Sequence, residues 1–124
     1  MCGRFTLRTP AAQIAEAFQL PLDIIDWPVP RFNIAPTQSV LMIRHTDSGQ
    51  PASLAKWGLV PSWSKMASTG GKYINARSEG LMSNRIFSTL FLRRRCLIVA
   101  DGFYEWQRIG QRKLPIWFTL QSGK

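Results

Sequence analysis

The sequence predicts an α+β domain whose sheet is mainly antiparallel. Three observations carry that prediction. Short apolar segments bounded by turn residues recur along the chain, as strands do. Only two stretches place apolar residues at helical spacing. Ile109–Gly110–Gln111–Arg112 has the composition of a tight hairpin connection, which joins antiparallel strands only. The length of 124 residues suits one domain, and no shift in composition marks a linker.

Taken in order, Phe5–Leu7 reads as a first strand. Thr9–Pro10 then opens a helix, with Thr9 as N-cap and Pro10 in the first helical position. Ala11, Ile14, Ala15 and Phe18 form its apolar face, and Leu20–Pro21 ends it. Residues 21–38 read as a connector without regular structure, rich in proline and holding Arg31–Phe32–Asn33–Ile34–Ala35–Pro36–Thr37. Asn33 and Thr37 suit side-chain bonds that shape a turn. Ser39–Arg44 and Ser53–Leu59 read as strands joined through the turn residues Asp47–Gln50. Trp57–Gly58–Leu59–Val60–Pro61–Ser62–Trp63 leads into a flexible loop over Ser68–Lys72. Asn84–Leu92 reads as a second helix with Ile86, Phe87, Leu90 and Phe91 inward, closed by Arg93–Arg94–Arg95. Cys96–Ala100 is continuously apolar and reads as a buried strand with a packed thiol. Asp101–Gly102 then reads as a bulge or kink, and Leu114–Leu120 pairs back across the hairpin.

The composition narrows the function classes. The chain carries sixteen basic and seven acidic residues, a formal charge of +9, and eleven of the sixteen are arginine. Arginine grips phosphate in a bidentate fork, so this balance suits nucleic acid. No apolar run approaches the ~20 residues of a membrane span, and no basic-then-apolar leader opens the chain. Cys2 and Cys96 form no CxxC or Cys/His cluster, which argues against a metal site or a disulfide scaffold. The expected setting is a reducing one, the bacterial cytosol or nucleoid, with no cofactor and no metal.

Several residues carry candidate chemistry. If Met1 is removed, Cys2 bears a free α-amine beside its thiol. The reference pKa values of such groups are about 7.7–8.0 and about 8.5, so both are partly reactive near neutral pH. Such a pair can condense with an aldehyde to an imine and close to a five-membered thiazolidine. The plain alternative is a small hydrophobe buried near the terminus. Asn75 offers a donor and an acceptor, Arg77 a phosphate fork, and Glu79 an internal partner for that arginine. The same stretch also reads as a helix start with Asn75 as N-cap. Trp63 either packs at the loop base or stacks on an unpaired base. Glu105 lies among Phe103, Tyr104 and Trp106, where desolvation prepares a general acid; the alternative is pairing with Arg108. Arg93–Arg95 suits the negative end of a helix dipole first and phosphate second. His45, beside a turn, is expected to be exposed and without a catalytic role.

Five stretches together resemble one family: Met1–Cys2–Gly3–Arg4, Arg31–Pro36, Trp57–Gly58 with Pro61 and Trp63, Asn75–Ala76–Arg77 with Glu79, and Asp101–Trp106. The chain resembles the SRAP family, the SOS-response-associated peptidases or abasic-site processing proteins. The resemblance implies a barrel-like β-sheet flanked by short helices. It implies covalent capture of abasic sites in single-stranded DNA as a thiazolidine on Cys2, with Met1 removed, in some members by the protein itself. It implies that Asn75 positions Cys2 and the sugar, and that Glu105 moves protons. Arg4, Arg77 and Arg85 are expected to hold phosphates, with Arg31 and Asn33 beside them and Trp63 against exposed bases. Family members extend well past Lys124, so the sheet is expected to lack its C-terminal strands and a histidine. Dimerisation or strand exchange would compensate. Two other readings differ in class: a glutamine amidotransferase, which also begins Met-Cys-Gly, and a non-covalent single-strand binder.

Overall fold

The computed structural model describes residues 2–23, 30–45, 47 and 52–122, without the side chains of residues 67–69. Two antiparallel sheets make up the architecture, with one curled into a half-barrel and few short helices. The first sheet has the order β2–β1–β6–β7: β1 is Arg4–Leu7, β2 is Arg31–Ile34, β6 is Gly102–Ile109 and β7 is Arg112–Phe118. The second has the order β4–β3–β5: β3 is Ser39–Ile43, β4 is Ala52–Lys56 and β5 is Leu97–Ile98. Helices α1 (Ala11–Phe18) and α2 (Ser88–Arg93) flank them. Among the described residues no helix is long and apolar enough to cross a membrane.

The N-terminal strand lies inside its sheet. Phe5 stands opposite Ile34 on one side and Phe103 on the other. Phe5, Leu7, Ile14, Ile34, Val40, Leu41 and Val99 form the main core, and Cys2, Ile43 and Trp57 pack against it. The ring centroids of Phe5 and Trp57 are 5.2 Å apart. Ile34 and Leu41 are each only 1% exposed, so these two fix the seam between the sheets.

Helix α1 forms on the expected face, with Ile14 and Ala15 buried. Its cap differs. Pro10 is the N-cap, and its carbonyl accepts from Gln13 N and Ile14 N at 3.0 and 3.2 Å. The Thr9 hydroxyl donates instead to the Asp101 carboxylate at 3.0 Å, a charged and therefore stronger acceptor. The helix stops before Leu20–Pro21, because Gln19 turns left-handed (φ 53°) and Leu20 N bonds Ala15 O at 2.8 Å.

Other expectations need correction. The connector contains strand β2, since Arg31–Ile34 finds an open edge of β1. Residues 24–29, and all of the turn at 46–51 but Asp47, lie outside the described residues. Strand β4 ends at Lys56, short of Leu59, because Gly58 adopts φ 129°. Ala67–Lys72 is a 3-10 helix and not an irregular loop, with Gly70 close against the Gly58 backbone. The second helix begins only at Ser88. The Asn84 side chain accepts from Ile86 N at 2.8 Å, and this local bond holds residues 85–87 as turns. Phe91, expected inward, is exposed. The register shift in the first sheet falls between Phe5 and Leu7, while Asp101 is a bend before β6.

The largest departure is Cys96–Ala100. Only Leu97 and Ile98 enter the sheet, both are exposed, and Val99 alone is buried. Cys96 is exposed too. An apolar run is buried only where layers cover both faces, and β5 is an edge strand paired to β3 alone. The hairpin stands as expected. Ile109 faces Arg112 across a two-residue loop, and Gly110 takes φ 59°, a value such loops require. Strand β7 ends at Phe118 and carries Pro115, which an edge strand tolerates.

Candidate functional site

The candidate site gathers where β1 begins. Cys2 is half-buried, and its Sγ donates to the Arg4 carbonyl at 3.3 Å. The Asn75 side chain reaches across 73 residues of sequence, and its Nδ2 donates to the Cys2 carbonyl at 2.9 Å. That bond replaces the helix-cap reading of Asn75: the helical turn that follows is Ser78–Gly80, capped by Arg77 with no side-chain bond.

Asn75 is held from behind. The Trp57 indole Nε1 donates to Ile74 O at 3.3 Å, and Leu59 N donates to Tyr73 O at 3.1 Å. Trp57 in turn leans on Phe5 of β1. The chain from Cys2 through Phe5, Trp57 and Ile74 to Asn75 therefore closes on itself. This is why Trp57 packs and does not face solvent. Met1 lies outside the described residues.

Arg4 and Asn33 meet beside this centre, with Arg4 Nη1 donating to Asn33 Oδ1 at 2.8 Å. Tyr104, the ladder partner of Arg4, donates through its hydroxyl to Phe32 O at 3.1 Å. The first bond ties β2 to the start of β1, and the second ties β6 to β2 beside it. Arg31 points elsewhere, and its guanidinium donates to Ser39 O and to Gln38 Oε1, both at 2.5 Å. Glu105 is half-buried on β6 opposite Ile116. One ladder step beyond Arg4–Tyr104 brings it level with Gly3.

Arg77 is exposed, and Glu79 is not its partner: the Glu79 carboxylate accepts from the Ser78 hydroxyl at 3.2 Å. A cavity of about 280 Å³ opens between Asn75, Arg77, Leu81, Asn84 and Phe87. A second, of about 390 Å³ and mostly apolar, lies on the other flank of Asn75, lined by Phe5, Trp57, Ile74, Cys96 and Ile98 among others. Arg85 is exposed in the turn after Asn84 and lines neither cavity. Trp63 is 67% exposed, so it packs against little. His45 is exposed, as expected. Among the described residues no three His, Cys, Asp or Glu side chains gather as a metal site.

One cluster had no forecast. The Asp101 carboxylate accepts from the Thr6 hydroxyl at 2.6 Å, from Thr9 N at 2.8 Å, from the Thr9 hydroxyl at 3.0 Å and from Arg8 N. Burial raises the Asp101 pKa, but the bonds from Thr6, Arg8 and Thr9 outweigh it and hold the group below its ordinary value. Arg8 adds a 3.9 Å ion pair and lies over the Trp117 ring at 4.2 Å. Trp117 Nε1 donates to Thr6 Oγ1 at 3.3 Å. The network pins the far end of β1, whose near end carries Cys2. Its one trace in the sequence is Thr6, a lone hydroxyl between Phe5 and Leu7.

The chain is 38% identical over 125 residues to the abasic site processing protein YoqW of Bacillus subtilis, covering 99% of this chain and 56% of that one. It is 30% identical over 128 residues to the abasic site processing protein YedK of Escherichia coli, covering 100% and 56%. A crystal structure of a Bordetella bronchiseptica protein superposes with a TM-score of 0.79 at 24% identity, over 98% of this chain and 59% of that one. The chain thus spans about half the length of the curated relatives it matches. The family model described as SOS response associated peptidase matches residues 1–124, and the chain belongs to that family.

Proposed function

We propose that this chain captures abasic sites in single-stranded DNA through Cys2. The observation that supports the reading best is the 2.9 Å bond from Asn75 to the Cys2 carbonyl. It fixes the terminal residue in a protein whose relatives are named for abasic sites.

Hydrolysis of the Met1–Cys2 peptide bond, by this chain itself or by another peptidase, frees the α-amine. The amine adds to the C1 aldehyde of the ring-opened sugar. The carbinolamine loses water, giving an imine. The thiol then adds to the imine carbon and its proton ends on nitrogen, closing the thiazolidine. The net change is aldehyde plus aminothiol to thiazolidine plus water. Asn75 holds Cys2 by its carbonyl, and the thiol must leave the Arg4 carbonyl to reach the imine. Glu105 moves the protons of ring opening and dehydration. A later β-elimination of the sugar's 3′ phosphate would make the same centre a lyase.

Arg4, Arg77 and Arg85 hold the phosphates beside the lesion, Asn33 orients Arg4, and Trp63 stacks on an exposed base. Arg31 joins the surface through the β2–β3 turn that it braces. Self-association by exchange at the β7 edge belongs to the same reading, and sedimentation equilibrium measures it.

The test is the intact mass of the protein before and after exposure to an oligonucleotide with one abasic site. The expected product has lost Met1 and gained the oligonucleotide less one water, and it survives denaturation. Cys2→Ser and a variant that retains Met1 should form no stable adduct. An adduct that survives both changes overturns the reading. Glutaminase activity, or DNA retention that does not need Cys2, would favour the two other classes.

A further inference from the structure

We infer that the cavity between Asn75 and Phe87 receives the base of the nucleotide next to the lesion, and that Asn84 reads it. The inference rests on the proposed function and extends it to sequence context. Asn75 belongs both to the cavity wall and to the bond that holds Cys2, so an occupant of the cavity adjoins the reacting sugar. Arg77 lines the same wall, and its guanidinium has no bonded partner among the described residues. Two residues span at most about 7 Å of chain, so Arg77 can hold the phosphate that joins sugar and neighbour. The volume of about 280 Å³ lies at the small end of ligand pockets, which suits one heterocycle. Leu81 and Phe87 supply apolar and aromatic wall. Phe87 is braced by Tyr73, whose ring meets it edge-on at 6.5 Å.

Asn84 sets the selectivity. Its Oδ1 accepts from Ile86 N at 2.8 Å, and a donor there fixes which end of the amide faces that way. Its Nδ2 is left as a donor with no partner among the described residues. A lone donor matches the keto oxygen of thymine (O4) or guanine (O6). With the base seated so that this exocyclic position faces Asn84, adenine (N6) and cytosine (N4) present an amino donor there instead, and adenine N7 can accept only if the base turns. The chain should therefore favour lesions flanked on one side by thymine or guanine over those flanked by adenine.

The experiment uses oligonucleotides with one abasic site and each of the four bases in turn on its 5′ and 3′ sides. Initial cross-linking rates are compared at fixed salt. At one flank, thymine and guanine should exceed adenine about threefold to tenfold, the worth of one hydrogen bond. The ratio should fall towards one in Asn84→Ala and invert in Asn84→Asp, whose carboxylate accepts where the amide donates. A ratio internal to each variant is blind to general loss of folding or charge. Equal rates for all bases at both flanks overturn the inference, as does a ratio that both variants leave intact. If no oligonucleotide cross-links, the covalent proposal falls instead. The same ratios, read from binding of oligonucleotides with a tetrahydrofuran lesion, then decide the cavity.

Discussion

Asp101→Ala tests how the start of the chain is held. The carboxylate is a side chain only 7% exposed and receives four hydrogen bonds. Two of the donors are hydroxyls, and that of Thr6 can turn to Gly102 O, 3.3 Å away. The other two are the backbone N–H groups of Arg8 and Thr9, which cannot turn. Hydrogen bonds to a charged group contribute about 1.5–3 kcal/mol each, so losing the two fixed ones should cost about 3–6 kcal/mol. The ion pair to Arg8 adds little, because Arg8 is 40% exposed. In a domain of this size that loss lowers Tm by about 10–25 °C. Urea titration and thermal melts followed by circular dichroism measure both.

The pH dependence carries a sign. Asp101 has a lowered pKa in the fold, so the stability it contributes is full above the unfolded carboxylate value. That stability drains away as pH falls below about 3.9 and through the folded value. Asp101→Asn should therefore flatten the acid limb of a stability-versus-pH curve while lowering its neutral plateau. A loss under about 1 kcal/mol for Asp101→Ala, or acid limbs that superpose, would refute the network as the anchor of β1.

Other perturbations separate packing from contact with DNA. Gly58→Ala should cost at least about 2 kcal/mol by urea titration, because Gly58 sits at φ 129° and a Cβ would lie 2.8 Å from the Gly70 carbonyl carbon. Leu41→Ala, at a site 1% exposed, should cost about 2–5 kcal/mol in the same assay. Arg77→Ala should reduce the slope of log binding constant against log salt by about 1 for a tetrahydrofuran-lesion oligonucleotide and leave the melt unchanged. Arg31→Ala should do the reverse. It removes bonds to Gln38 and Ser39, so about 1 kcal/mol of stability should go while the slope stays nearly level.

Local pattern made part of the fold legible. The period of Ile14, Ala15 and their neighbours gave α1, and the Gly110–Gln111 step gave the hairpin. The proposal that Asn75 serves Cys2 came from a family resemblance, and the hydrogen bond now gives it a geometry. What stayed hidden was long-range or competitive. Thr9 has the residue type of an N-cap, but a carboxylate 92 residues away claims its hydroxyl and backbone N–H. Cys96 sits in an apolar run, yet exposure depends on which layers cover β5, and no local pattern records that. Arg31 and Arg77 look alike in sequence; only the fold shows that one braces a turn while the guanidinium of the other has no bonded partner among the described residues.

Strand β1 cannot be fully seated until β6 exists, since Arg4 pairs with Tyr104. Synthesis runs from the N-terminus, so β1 can pair with β2 early but waits on its other side for a strand made much later. Once the ladder closes, β1 lies between two neighbours, and Cys2 leads into a fully paired position in the sheet.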